Sequence, residues 1–278
     1  MEASLQQGLP LNPFFFYLLL YCGTVLYYLK AYAGAPVSDV TDKRARWYFH
    51  NRKAVRGIQL ALLLLCLLSA IVLFHACWQN FFLLNIWDYV LLVIFPMMAV
   101  LYYGLSFPGI PQVTLREAGW LKPFVIGFVW AGAVTIYPVI FRQLQSGLHY
   151  NYSWINGWFF LKNWMFITVL CIMFDIKDYA ADHNRHLKTF VVRMGLRKTI
   201  FRIIIPLVIT GLGAFVLFAI VRHLSWVIVM INSIPFILLI AVAYSLHERR
   251  PILYYLAIID GQMLVKAICG ITAILFLK

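Results

Sequence analysis

Apolar positions in this chain do not alternate as in a half-buried strand or recur as a single helical stripe; they run on. Stretches of roughly 20 apolar residues cover 12–32, 57–77, 81–104, 122–141, 155–174, 200–221, 224–245 and 253–276, joined by short polar connections. A bilayer core takes about 20 apolar residues per crossing helix. The pattern therefore predicts an all-α, polytopic transmembrane helix bundle of about eight spans, a single domain over 1–278. Pro96, Pro138, Pro206 and Pro235 fall inside the stretches, which membrane helices tolerate because their neighbours re-satisfy the freed backbone groups.

Composition agrees: 63% of residues are hydrophobic and 12% charged, where a soluble domain carries about 25% charged residues. The net charge of +13 invites a nucleic-acid partner, but the placement of the charges argues against one. Of the 23 lysines and arginines, all but Arg142, Lys162, Arg222, Lys266 and Lys278 lie in or beside alternate connections. That is how topology determinants are arranged. By the same rule those connections, including the one after residue 174, are cytoplasmic and both termini face the other side. Cys22, Cys66, Cys77, Cys171 and Cys269 sit in or next to apolar stretches without CxxC spacing, so neither a disulfide framework nor a zinc site is expected. The first ten residues lack a basic n-region, so no cleavable signal peptide is expected.

Charged residues inside apolar stretches are costly unless paired or solvated, and they mark function or a structural pair. Asp88, Lys162, Asp260 and Lys266 are of this kind. Asp88, Lys162 and Lys266 fall at similar depth from the outer face, and a structural ion pair among them is expected. Asp260 lies roughly 10 Å below the cytoplasmic end of the last stretch at about 1.5 Å rise per residue, a depth that suits a cavity wall. Asp260 and Lys266 are about 240° apart around a helix and should not pair.

The densest chemistry is Asp175-Ile176-Lys177-Asp178-Tyr179-Ala180-Ala181-Asp182, which holds three of the ten acidic residues. Offsets of i, i+3 and i+7 put the three carboxylates on one helix face. Such a cluster is either a solvated helix cap or a cation site, and its place at the end of a membrane segment favours the second. Hard oxygen ligands suit Mg²⁺, which takes one or two carboxylates and completes its shell with phosphate oxygens and water. Lys177, Arg185, Lys188, Arg193, Arg197 and Lys198 surround the cluster, as a phosphate-bearing substrate would require. His183 and His186 flank it at i, i+3; zinc ligation and simple polar positions on a basic loop both fit them.

Asp175-x-x-Asp178-x-x-x-Asp182, followed by Leu187-Lys188-Thr189 and Gly195, resembles the second aspartate-rich motif of the UbiA family of intramembrane prenyltransferases. Leu115-Arg116 and Leu121-Lys122 running into Phe128-Val129-Trp130-Ala131 and Thr135-Ile136-Tyr137-Pro138 are similar to a central stretch of bacterial UbiA-like proteins, and Tyr254-Tyr255 with Ile259-Asp260-Gly261 to their last helix. The resemblance implies a UbiA-like helical bundle in the bacterial inner membrane with its site loops cytoplasmic. It further implies transfer of a prenyl chain from a prenyl diphosphate to an aromatic or lipid-soluble acceptor, with Mg²⁺ holding the diphosphate. It assigns catalytic and metal roles to Asp175, Asp178 and Asp182, and substrate contacts to Lys122, Lys177, Arg185, Lys188 and Asp260. The family has nine spans and a first motif of the form Asn-x-x-x-Asp-x-x-x-Asp. Here the corresponding Tyr28–Pro36 contains neither Asn nor Asp. Asp39 and Asp42 follow at i, i+3, as partial substitutes in metal binding or as loop and cap residues before Arg44. These departures leave an alternative reading, a catalytically weakened member that binds isoprenoid or quinone-like lipid.

The charge asymmetry generates a topological expectation. A reporter fused after Lys278 reads out on the non-cytoplasmic face; a cytoplasmic signal there would require an odd number of spans.

Overall fold

A computed structural model describes residues 1–33, 43–103, 119–148, 150, 152, 154–184, 187–248 and 250–276, and every regular element among them is helical. In chain order these are α1 (Glu2–Gln6), α2 (Phe14–Ala33), α3 (Lys43–His50), α4 (Arg52–Phe81), α5 (Ile86–Tyr103) and α6 (Lys122–Ser146). Then come α7 (Trp154–Lys177), α8 (Tyr179–Asn184), α9 (Phe190–Met194), α10 (Leu196–Val221), α11 (Trp226–Ser245) and α12 (Ile252–Leu275). Among the described residues six helices, α4, α6, α7, α10, α11 and α12, are long and apolar enough to cross a membrane, which marks an integral membrane protein. The other two expected segments also form helices, but α2 and α5 carry shorter apolar stretches, Phe14–Leu29 and Ile86–Tyr102.

The chain divides into two compact units, one of Asn12–Leu84 with Phe141–Leu148, the other of Met1–Leu11, Asn85–Ile140 and His149–Lys278. In the smaller unit α2 packs along α4, where Cys66 Sγ meets the Leu19 carbonyl at 3.8 Å. Phe16 is enclosed against Phe141, ring centroids 4.8 Å apart. Asn80 Nδ2 donates to the Leu144 carbonyl at 2.8 Å. Leu60, Leu64, Leu67, Leu68 and Ile71 of α4 stay exposed, as a lipid-facing helix allows.

The larger unit is organised around α7. Phe159, Phe166, Ile172 and Met173 of α7 are enclosed with Phe215, Leu239 and Ile259 from α10, α11 and α12. Small residues let the helix backbones approach, because packing rather than water exclusion joins helices in lipid. A Cβ on Gly127 of α6 would overlap Thr168 Oγ1 of α7, and one on Gly211 of α10 would lie 3.3 Å from Met165 Cβ. Trp164 Nε1 reinforces the first contact by donating to the Phe124 carbonyl at 2.9 Å. Three long helices carry a π-helical turn, at Gly132–Ile136, Ile200–Ile204 and Tyr255–Ile259. Each shifts the hydrogen-bond register by one residue and re-aims the side chains beyond it.

The buried charges find a partner that the apolar pattern did not indicate. Lys162 and Lys266 pair with Glu2 of α1, not with Asp88. Lys266 Nζ lies 2.5 Å from Glu2 Oε2, and Lys162 Nζ lies 4.0 Å from Glu2 Oε1. Lys162 also donates to Gln6 Oε1 at 2.6 Å and sits 4.4 Å from the centre of the Phe159 ring. Asp88 instead serves the start of α5, its Oδ2 accepting the Asn85 N–H at 3.1 Å. The apolar pattern gives Asp88 and the lysines a similar expected depth, but azimuth and the return of the N-terminal residues are not legible in it. The first turn of the chain is thus an inserted element. Gly270 of α12 leaves room for the Glu2 side chain, and Gln7 Nε2 donates to the Thr135 carbonyl in the first π turn at 3.1 Å.

Removing Glu2 would leave two buried lysines without a carboxylate. Glu2→Ala is expected to destabilise the protein by about 3–5 kcal/mol, the usual cost of breaking a buried pair from one side. Adding Lys162→Met and Lys266→Met should recover a large part of the loss. Thermal unfolding of the purified protein in detergent checks both; an unchanged midpoint in Glu2→Ala would show that the lysines are solvated.

Candidate functional site

α7 runs without interruption to Lys177, breaks into a turn at Asp178, and resumes as α8. Helical bonding nearly bridges the break: the Asp178 N–H reaches the Phe174 carbonyl at 3.3 Å, and the Asp182 N–H reaches the Asp178 carbonyl at 2.9 Å. The carboxylates therefore stay neighbours, and Asp178 and Asp182 both act electrostatically on Asp175. Their surroundings differ. Asp175 is 2% exposed and Asp182 is buried, whereas the Asp178 side chain is 44% exposed.

Each of two carboxylates meets a lysine. Lys122 Nζ, at the first residue of α6, lies 2.6 Å from Asp175 Oδ1. Lys177 Nζ lies 3.3 Å from Asp178 Oδ1 and 5.7 Å from the centre of the Phe174 ring. The second Asp175 oxygen, Oδ2, is buried with no hydrogen-bond partner among the described residues. Leaving such an acceptor unmet costs about 1–3 kcal/mol, and Oδ2 is thus an oxygen able to accept from a donor or to ligate a cation.

The last helix comes to the same place. Asp260, just past the third π turn, is exposed and feels the charge of Lys177. Tyr255 in that turn feels Asp178, and Cys171, one turn before Asp175, feels Asp175, Lys122 and Asp260. Lys122, Asp175, Lys177, Asp178, Asp182 and Asp260 are thus gathered by α6, α7, α8 and α12. Lys188 is exposed on the connection before α9. Arg185, Asp39 and Asp42 lie outside the described residues. Tyr255 and Cys171 were not singled out from the sequence; Tyr255 stands in the quoted last-helix motif, and Cys171 reads there as an apolar packing residue.

Asp175 suits a hard cation, offering a buried carboxylate with an open oxygen and two further carboxylates close by. Among the described residues no three side chains of ligand type are gathered closely enough to hold an ion as they stand. Lys122 and Lys177 supply donors suited to a phosphate group.

The entry to α6 is pressed against the loop that follows the acidic cluster. A Cβ on Gly119 would lie 2.7 Å from the Lys188 carbonyl carbon and from the Thr189 nitrogen, both rigid backbone atoms. Gly119→Ala should therefore separate Lys122 from Asp175 and destabilise the protein by about 1–3 kcal/mol, as overpacking does. The effect is checked by thermal unfolding together with crosslinking of a cysteine pair at 122 and 175; an unaltered crosslink yield would show that the loop yields instead. Beside known proteins the chain stands by itself: no family model, no curated protein and no solved structure matches it.

Proposed function

We propose that the protein is a UbiA-type integral-membrane prenyltransferase that moves a prenyl chain from a polyprenyl diphosphate to an aromatic or lipid-soluble acceptor. The observation that carries the reading is the buried Asp175, which has one oxygen on Lys122 and one open, at the helix end where Asp178, Asp182 and Asp260 also gather. Asp175, Asp178 and Asp182 would hold Mg²⁺, and Lys122 and Lys177 would take phosphate oxygens. The bound ion supplies Lewis-acid stabilisation of the departing diphosphate, and the lysines neutralise its remaining charge. The acceptor and prenyl chain would lie in the apolar bundle and reach the site from the lipid. The basic connections around the site support a cytoplasmic orientation, in a bacterial inner membrane if the family resemblance holds.

The same ion pairs also favour a second reading. Carboxylates already neutralised by Lys122 and Lys177 need no metal, which suits a protein that binds isoprenoid or quinone-like lipid without transferring it.

Purified protein incubated with prenyl diphosphates of several chain lengths, with and without Mg²⁺, separates the two. Transferase activity predicts Mg²⁺-dependent release of diphosphate, lost by at least ~10²-fold in Asp175→Ala, the scale of removing one electrostatic stabiliser. Lipid retention with no release of diphosphate in any condition would establish the second reading.

A further inference from the structure

The lysines nearest the acidic cluster are engaged with its carboxylates, Lys122 with Asp175 at 2.6 Å and Lys177 with Asp178 at 3.3 Å. At 2.6 Å the ammonium lies in direct contact with Asp175 Oδ1, where it competes with a cation for that oxygen. A divalent cation arriving alone would sit beside an ammonium and be repelled by it. An anion arriving alone at Lys122 would meet Asp175, with Asp178 and Asp182 close behind it. When both arrive together the conflict disappears. The cation takes the carboxylates, the ammonium groups turn to the anion, and every charge keeps an opposite neighbour.

Mobility within the pair is unequal in the way this exchange requires. The Asp175 side chain is 2% exposed at the end of the most enclosed helix, whereas the Lys122 side chain is 24% exposed on a flexible four-carbon stem. The carboxylate stays and the ammonium swings. Asp175 Oδ2, buried and unpartnered among the described residues, is the oxygen that a cation would meet first.

We propose that Lys122 and Lys177 are exchangeable internal counter-ions that couple the site's two ligands, so that a divalent cation and a diphosphate-bearing anion bind well only together. The proposal rests on the reading of the acidic cluster as a cation–diphosphate site. In the resting site two of the carboxylates, Asp175 and Asp178, are each met by a lysine.

Reciprocity gives the test its sign. Removing a lysine should improve binding of the cation alone while weakening the anion. Mn²⁺ binding to full-length protein in nanodiscs is followed by electron paramagnetic resonance, with and without geranyl thiolodiphosphate, for the wild type, Lys122→Gln and Lys177→Gln. The expected result is that Lys122→Gln binds Mn²⁺ alone about 10-fold more tightly than the wild type and loses most of the coupling, which typically spans about 5–150-fold. Lys177→Gln, whose pair is half-exposed, should shift the same way by less, and it decides the matter if Lys122→Gln does not fold. Equal or weaker Mn²⁺ binding in the variants, with Mn²⁺ still bound in the presence of the thiolodiphosphate, would overturn the exchange and leave the site standing. No Mn²⁺ bound to any variant in either condition would remove the cation site itself.

Discussion

Charge placed inside an apolar helix bundle has to be neutralised where it stands, because neither water nor lipid chains can do so. In the larger unit this demand draws charges together in two places. Lys162 and Lys266 converge on Glu2, and Lys122 converges on Asp175. The first arrangement recruits the N-terminal turn of the chain into the bundle. The second ties the entry of α6 to the exit of α7. Helices that would otherwise associate only through generic apolar packing thereby acquire a defined register.

α7 carries one member of each arrangement. Lys162 and Asp175 stand thirteen residues apart on it, roughly 20 Å along the axis at about 1.5 Å per residue. α12 carries the matching pair, Lys266 near the Glu2 end and Asp260 near the acidic end. The clamp at one depth and the candidate site at the other are therefore built on the same two helices. Where they sit closest, Tyr255 and Ile259 of the α12 π turn are enclosed in the core shared with α7. Gly127 and Gly211 perform the complementary task on the sides of α7, where any larger residue would displace α6 or α10.

The two ends differ in which kind of group remains unsatisfied among the described residues: near Glu2 these are the neutral Ser4 Oγ and Asn163 Oδ1, near the acidic cluster a carboxylate oxygen. At the Glu2 end the lysines find a carboxylate, an amide oxygen and aromatic faces. At the Asp175 end a carboxylate oxygen is buried without a partner among the described residues. Polar groups left unmet inside a protein are expensive, and a charged one more so than a neutral hydroxyl or amide. That asymmetry directs attention to Asp175 and leaves the Glu2 cluster as architecture.

The sequence by itself determined that this is an all-helical membrane protein. Unbroken apolar runs favour helices in lipid, and among the described residues each of the eight runs is largely helical. It also determined that the acidic residues at 175–182 lie at a helix end beside basic side chains, because their spacing is local and helical geometry is fixed. Only the tertiary structure decided which charges meet. Glu2 reads as an unremarkable terminal residue, yet it pairs with lysines 160 and 264 positions away. Asp88 reads as their partner by depth but faces the start of its own helix. Depth follows from counting residues along one helix, whereas azimuth and pairing depend on how several helices turn about their axes and on where π turns shift them. Those rotations bring Gly127, Gly211 and Gly270 into close contact with their neighbours, which no pattern along a single segment records.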